Sequence, residues 1–355
     1  MATGLDLPLP GGIPLKEWDS WHTLILTDEL SRIVGPFPPH EAMRPRTDDQ
    51  QSYTGVLWGL GGGNGIGVPP IVNFGTAEQK KRFLPGVADG TVRFCLGITE
   101  PDGQLRSTPF AQSLNPSVHE PSDSHLTAGS DVAGIKTTAI RTGSNYIVNG
   151  SKKWITNGIW ADYCTAAVRT GGPGPSGISL LIIPLHTAGV TTRAMHNSGV
   201  GASGSTFIEF DNVTVPTANL LHRENRGFEV IMHNFNAERK SLATAALRLS
   251  RVCAEDAWLH ACTRETFGTK LIENAIIRAK FVKMGRLIEP AWAFLEQLTF
   301  LIESSQSTAG GDQIRIGGMT ALLKVMSTRC LETCVREAQQ VMGGLGYAKG
   351  GKGGR

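Results

Sequence analysis

Ile98-Thr99-Glu100-Pro101-Asp102 and Trp154-Ile155-Thr156-Asn157-Gly158 lie in the stretch whose texture decides the fold. Between Phe94 and Val215 the chain breaks into short β-rich runs. These include Ala139-Ile140-Arg141, Tyr146-Ile147-Val148, Thr165-Ala166-Ala167-Val168, Ile178 to Ile183 and Thr206 to Phe210. Gly, Asn and Pro separate them, a spacing that predicts a β-sandwich or barrel rather than alternating βαβ units.

Working outward, both flanks read as helical. On the N-terminal side, Trp18, Trp21, Ile25 and Leu30 have helical spacing, and Thr76 with Gln79 has the spacing of a capping box. On the C-terminal side, neither Phe228–Phe267 nor Met319–Met342 contains Gly or Pro. Leu271–Thr308 lies between them and is expected to be interrupted at Gly285 and Pro290. Three such helices predict most of an antiparallel bundle, with a fourth still to be found. The fold class is therefore α+β multidomain. A partial N-terminal helical domain is expected over 1–92, a central β-sandwich or barrel over 93–216, and an incomplete antiparallel bundle over 217–355. Residues 34–54 and 103–127 fit none of these and are expected to be irregular, disordered insertions, either surface loops or the product of retained introns or an imperfect gene model.

Composition narrows the function classes. The 355 residues have ample length for two or three domains. The formal net charge is +3 with basic residues scattered, which argues against nucleic-acid binding. No apolar run approaches the ~20 residues of a membrane span. Met1–Leu15 is rich in Gly, Pro and Leu without a basic segment, unlike a secretory signal or a transit peptide. Six cysteines without a CxxC pair read as reduced core thiols. Cys330 and Cys334 are one helical turn apart, but no further ligand completes a metal site, so none is expected.

Gly59–Gly67 does not satisfy GxGxxG, has no GK[ST], and runs into Val68-Pro69-Pro70 rather than an evident helix start. Packing or a loop is the better reading. Glu238 stands out more. Phe228, Ile231, Phe235, Leu242, Ala245, Leu249, Val252 and Leu259 form an apolar stripe, and Glu238 occupies its gap. A carboxylate on a buried face is costly unless paired or neutralised. Desolvation raises its pKa, which suits a general base near neutral pH; a buried salt bridge is the plainer alternative. Asp256 also falls on the stripe, and there the salt bridge is preferred. Arg264-Glu265-Thr266-Phe267-Gly268 closes the same helix, where Arg serves either as a dipole partner or as a pyrophosphate fork. Gln340–Gly344 reads as a Gly C-cap.

Taken together, these residues resemble the acyl-CoA dehydrogenases. The resemblance rests on Ile98–Asp102 with Gly129-Ser130-Asp131, Asn149–Gly158, Asn212–Pro216, Glu238-Arg239, Arg264–Gly268 and Gln340–Gly346, in family order. In the family the first two halves are contiguous; here residues 103–127 part them. The other departures are a short N-terminal domain, an end before the segment that closes over the flavin, and Ala275 where Gln is frequent.

The resemblance implies FAD between the β-domain and the bundle, usually in a homotetramer, alternatively a homodimer. It implies α,β-desaturation of an acyl-CoA thioester, with electrons passed to electron-transfer flavoprotein. Glu238 would be the base, at the position used by isovaleryl- and long-chain-type members. Leu96, Ile98, Thr99, Ser130, Trp154 and Thr156 would meet the cofactor. Arg264, Phe267, Gln340, Gly343 and Gly344 would meet the FAD of a neighbouring subunit. Ser130, Phe235 and Arg239 would meet the substrate. The expected compartment is the mitochondrial matrix if eukaryotic, otherwise the cytoplasm. An acyl-CoA oxidase is the alternative enzyme, and an inactive, flavin-free homologue the alternative to an enzyme.

Overall fold

A computed structural model describes residues 10–33, 58–101, 129–306 and 313–348. The expected irregular segments, 34–54 and 103–127, lie outside the described residues. The chain divides into two compact units: residues 58–234, and residues 10–33 with 235–348.

The first unit opens with a π-turn, Trp58–Gly62, leading into α1 (Gly63–Gly67), α2 (Pro69–Phe74) and α3 (Ala77–Ala88). The Gly-rich run is thus helical rather than a loop, and it is there for close packing. A Cβ at Gly63 would sit 2.4 Å from the Phe94 carbonyl oxygen, and one at Gly67 2.7 Å from that of Cys95. Pro69, expected to oppose a helix start, makes one, because its fixed φ and missing N–H suit the first helical position. At α3 the Thr76–Gln79 capping box is present in full. Gln79 Nε2 also donates to the carbonyls of Ala218 and Leu220, each at 2.9 Å, tying α3 to the sheet.

Among the described residues, the eight strands of the central region join one sheet. They are β1 (Phe94–Gly97), β2 (Thr138–Thr142), β3 (Asn145–Ile155), β4 (Tyr163–Arg169), β5 (Ile178–Pro184), β6 (Val190–Ala194), β7 (Thr206–Pro216) and β8 (Leu220–Leu221). The order is β6-β7-β3-β2-β4-β5-β8, with β1 parallel to β4. β5 is buried over Ile178–Ile183, as a nearly continuous apolar run requires, with Ser179 hydrogen-bonded to Thr170 and the Asn225 amide. β3 and β7 instead alternate, burying Tyr146 and Val148 against Val213 and Val215. The pairing of β3 with β7 slips at two places, Val148/Gly150 and Lys152/Ile155. The second slip matters below.

The second unit contains α4 (Ser20–Ile33), α5 (Gly227–Thr263, from Phe235 onward), α6 (Ala275–Gln306) and α7 (Gln313–Met342). The fourth helix beside the three C-terminal ones is therefore α4, from the N-terminal part of the chain. Leu24 of α4 joins Ala243, Leu247, Met284, Ile288, Leu295 and Leu323 in one core. Its buried face is not the predicted one: Ile25 and Leu30 are exposed, whereas Leu24, Asp28 and Ser31 are buried. Asp28 can be inside because Arg248 of α5 chelates it, Nε to Oδ1 at 2.9 Å and Nη2 to Oδ2.

α5 departs from expectation in the same way. Its innermost residues are Ala243, Ala246, Leu247, Ser250, Ala257 and Ala261; the predicted stripe at Leu242, Ala245 and Leu249 is half-buried and Leu259 is exposed. Small residues occupy the closest helix contacts, and the larger apolar ones lie beside them. α6 runs unbroken through Gly285 and Pro290. A mid-helix Pro costs roughly 3 kcal/mol. The burial of Met284, Ile288, Ala291 and Leu295 around it outweighs that.

Candidate active site

In the first unit the chain leaves β1 at Gly97, and Leu96 and Ile98 are buried while Thr99 is half-buried. Glu100 then turns inward, 7% exposed, and gathers donors from two distant segments. Its Oε2 accepts from the Lys136 amide at 2.7 Å, and its Oε1 from the Thr137 amide at 3.0 Å and from Lys152 Nζ at 2.8 Å. Burial disfavours the charged carboxylate, but the Lys152 ammonium and these donors hold its pKa below the ordinary carboxylate range. Lys152 has no exposed surface, and its Nζ also donates to the Ile98 carbonyl at 3.1 Å.

Beyond Lys152 the strand behaves irregularly. The Lys153 amide donates to the Thr99 carbonyl at 2.9 Å. Trp154 has φ +65°, unusual for a bulky residue, and its indole is 53% exposed. Lys153 Nζ lies 4.8 Å from that ring's centroid. Thr156 is half-buried, its methyl beside Gly62, where a Cβ would approach to 3.1 Å. Asn157, at φ +61°, knots three segments together. Its Oδ1 accepts from the Gly63 amide, and its Nδ2 donates to the carbonyls of Trp58 (2.9 Å) and Ser203 (2.8 Å).

Ser130 is exposed in a turn; the Val132 amide donates to its carbonyl at 3.1 Å. The chain after it is pinned by Arg169, whose guanidinium donates to the carbonyls of Ile135 (2.8 Å), Ala133 (2.7 Å) and Gly172 (2.6 Å). A surface cleft of about 530 Å³ lies there, lined by Lys136, Arg169 and the Gly171–Gly174 loop. Nothing in the spacing of Arg169 pointed to this role.

In the second unit Glu238 is half-buried on α5. Burial raises its carboxyl pKa from 4.5 to about 7, against the opposing pull of the Arg239 charge. Arg239 lies 5.6 Å from the centroid of the Phe235 ring and donates to Asn236 Oδ1 at 3.3 Å. Asp256 is half-buried and adds its charge to the burial that raises the Cys253 thiol to about 11.

α5 ends at Thr263, so Arg264–Gly268 does not close it. These residues instead lead into a tight hairpin, β9 (Glu265–Thr266) against β10 (Thr269–Lys270). Phe267 (φ +52°) and Gly268 (φ +80°) form the turn, where the left-handed backbone suits the twist of a two-residue hairpin. The Phe267 ring at its tip is fully exposed, and Arg264 is exposed beside it. At the far end of α7, Gln340 and Gly343 line a second cleft of about 470 Å³, and Gly343, at φ +60°, breaks the helix as a C-cap. Gly344 is exposed next to it. All six cysteines are free, and among the described residues no cluster of three metal-ligating side chains occurs.

Comparison with known proteins decides what this assembly of motifs is. Acyl-CoA dehydrogenase models match the N-terminal domain at residues 50–91, the middle domain at 124–213 and the C-terminal domain at 225–355. An acyl-CoA dehydrogenase of Alternaria alternata is 43% identical over 98% of this chain and 71% of its own length. The chain belongs to the acyl-CoA dehydrogenase family.

A second member, from Emericella nidulans, is 38% identical over 96% of this chain and 68% of its own length. The fold agrees: a probable acyl-CoA dehydrogenase from Mycobacterium abscessus superposes with a TM-score of 0.76 at 30% identity, over 94% of this chain and 75% of that one. The expected α+β architecture, with helical, β-sheet and bundle parts, is thereby established. Members of this family are oxidoreductases and flavoproteins. In this member Lys152 of the Asn149–Gly158 motif bonds Glu100 of the Ile98–Asp102 motif, which residues 103–127 interrupt in sequence, and Asn157 of the same motif as Lys152 bonds the Trp58–Gly63 segment.

Proposed function

We propose that this protein is an FAD-dependent acyl-CoA dehydrogenase that desaturates the Cα–Cβ bond of an acyl-CoA thioester. The observation that carries this reading is Glu238, whose desolvated carboxyl titrates at about 7. A base poised near neutral pH can take the proton of a weak carbon acid and hold it. An unperturbed carboxylate, with a pKa near 4.5, would return that proton more readily.

The residues present fit a flavin. Trp154 offers an exposed aromatic face, with the Thr99 and Thr156 hydroxyl groups on neighbouring segments of the same unit. Phe267 and Arg264 offer an exposed ring and an exposed guanidinium, suited to an adenine and a pyrophosphate. Bound FAD would supply the two-electron acceptor for the hydrogen leaving the β-carbon. Leu96, Ile98, Thr99, Ser130, Trp154 and Thr156 would hold one copy's cofactor. Arg264, Phe267, Gln340, Gly343 and Gly344 would serve that of a second copy. The exposed apolar side chains of Val282, Phe300, Leu322 and Val325 on α6 and α7 support association into a homotetramer or homodimer. Phe235 and Arg239 flank Glu238 on α5 and would contact the acyl thioester; Ser130 is likewise a proposed substrate contact. Electron-transfer flavoprotein is the proposed acceptor.

Anaerobic mixing of the FAD-loaded protein with acyl-CoA thioesters of graded chain length tests this. Bleaching of the flavin band in the parent protein and its loss in Glu238→Gln is the expected result. Bleaching at an equal rate in both would remove Glu238 from the role of base. A purified protein that takes up no FAD would end the reading.

A further inference from the structure

β3 reverses its in–out alternation between Lys152 and Ile155, and the Glu100–Lys152 pair sits where it does so. Tyr146, Val148 and Lys152 point into the unit, all even-numbered. Regular alternation would carry Trp154 inside after them. Trp154 is instead exposed and Ile155 is buried. The switch coincides with the second slip of the β3–β7 ladder and with the left-handed Trp154 backbone. A bulge of this kind re-aims one side chain.

Here the β3–β7 ladder skips: its register runs to Lys152 with Ile208 and resumes at Ile155 with Thr206. Within that gap the Lys153 amide donates to the Thr99 carbonyl at 2.9 Å. Lys152 anchors the same segment, its Nζ reaching the Ile98 carbonyl and Glu100. Glu100 in turn binds the amides of Lys136 and Thr137, which in sequence lie 36 and 37 residues away, beyond the interruption.

We infer that Glu100 and Lys152 are positioning residues that join the two sides of the interrupted motif and hold the Trp154 bulge, so that its indole stands out as a wall of the cofactor site. The assignment of that wall rests on the flavin reading above; the control of the bulge does not. A stability role alone accounts poorly for the pair. Burying two charges is expensive, and an apolar side chain of similar volume often serves stability equally well. What the ammonium adds is directional hydrogen bonding to two groups at once, and that is what a fixed bulge requires.

The test is Lys152→Met, with Glu100→Gln/Lys152→Met as the second variant should the single one leave Glu100 buried without its cation and fail to fold. The expected result has three parts. The melting temperature of the double variant stays within a few degrees of the parent, while the single variant, which leaves Glu100 buried without its cation, melts lower. In a crystal structure of the cofactor-free variant, Trp154 leaves the left-handed region and regular alternation returns. FAD affinity, titrated by flavin fluorescence, falls about tenfold or more, the scale of losing a supporting contact behind a ligand-holding group. A Trp154 that keeps its positive φ and exposed ring overturns the inference, whether or not FAD binds. A displaced Trp154 with undiminished FAD affinity overturns its functional half. A parent protein that binds no FAD sinks the flavin reading alone, since the structural arm is still decided.

Discussion

Replacing Glu238 by Gln should make the folded protein more stable at alkaline pH, and that sign separates a desolvated base from a structural ion pair. The carboxyl is raised by burial from 4.5 to about 7, while Arg239 opposes the shift without cancelling it. A change of that size corresponds to roughly 3 kcal/mol between the two protonation states. A half-buried site keeps only part of it, about 1–2 kcal/mol after solvent screening. The folded pKa lies above the unfolded one. The proton bound in the folded state therefore favours folding below pH 4.5, and this contribution is lost as pH rises to about 7. Gln keeps the shape and never ionises. Parent and variant should melt together near pH 4.5, and the variant should gain progressively up to pH 8, with no further gain beyond. Thermal melts across pH 4.5–9, on samples matched for FAD content, read this directly. A variant that is less stable than the parent at pH 9 would refute the reasoning, because it would mean that Glu238 is a net-favourable partner of a cation. The same variant should lose substrate-dependent flavin bleaching, so one substitution is expected to raise stability and abolish the reaction.

Three further outcomes are expected. Phe267→Ala removes a ring that touches nothing in its own hairpin, so the melting temperature should hold while FAD retention through gel filtration falls; equal retention would separate the hairpin tip from the cofactor. Asp28→Ala strands the Arg248 guanidinium between α4 and α5, leaving it Glu29 at 3.6 Å and the more distant charge of Glu255, and should cost about 2–3 kcal/mol in urea unfolding, below the range for a fully buried pair. Deleting residues 103–127 joins Asp102 to Ala128, restoring an uninterrupted motif whose two sides Glu100 already ties together, and should improve FAD retention; poorer retention would show that the segment contributes.

Much of the fold was legible because it follows from local periodicity. The five β runs, the Thr76 cap and the long C-terminal helices were all readable, since alternation, capping spacing and Gly/Pro-free runs act within a few residues. The errors share one physical origin. Ile25 and Leu30 are exposed because helix faces are chosen by their neighbours, and Arg248 made Asp28 a residue to bury. Pro290 fails to break α6 because packing around it exceeds the local penalty. Arg264–Gly268 became a hairpin because two left-handed residues at Phe267 and Gly268 reverse the chain within four residues.

The sequence by itself determined the family, through motifs whose residue types and order are specific, and it singled out Glu238 through an ionisable residue in an apolar stripe. Only the tertiary structure decided the environments of these residues. It moved that stripe to the shoulder of the helix and left Glu238 half-buried with a raised pKa. It also joined Glu100 to Lys136, Thr137 and Lys152, and so held Trp154 against the alternation of its own strand. The reason is range. Periodicity and capping depend on residues a few positions apart, whereas desolvation and a buried ion pair depend on atoms brought together from tens of residues away.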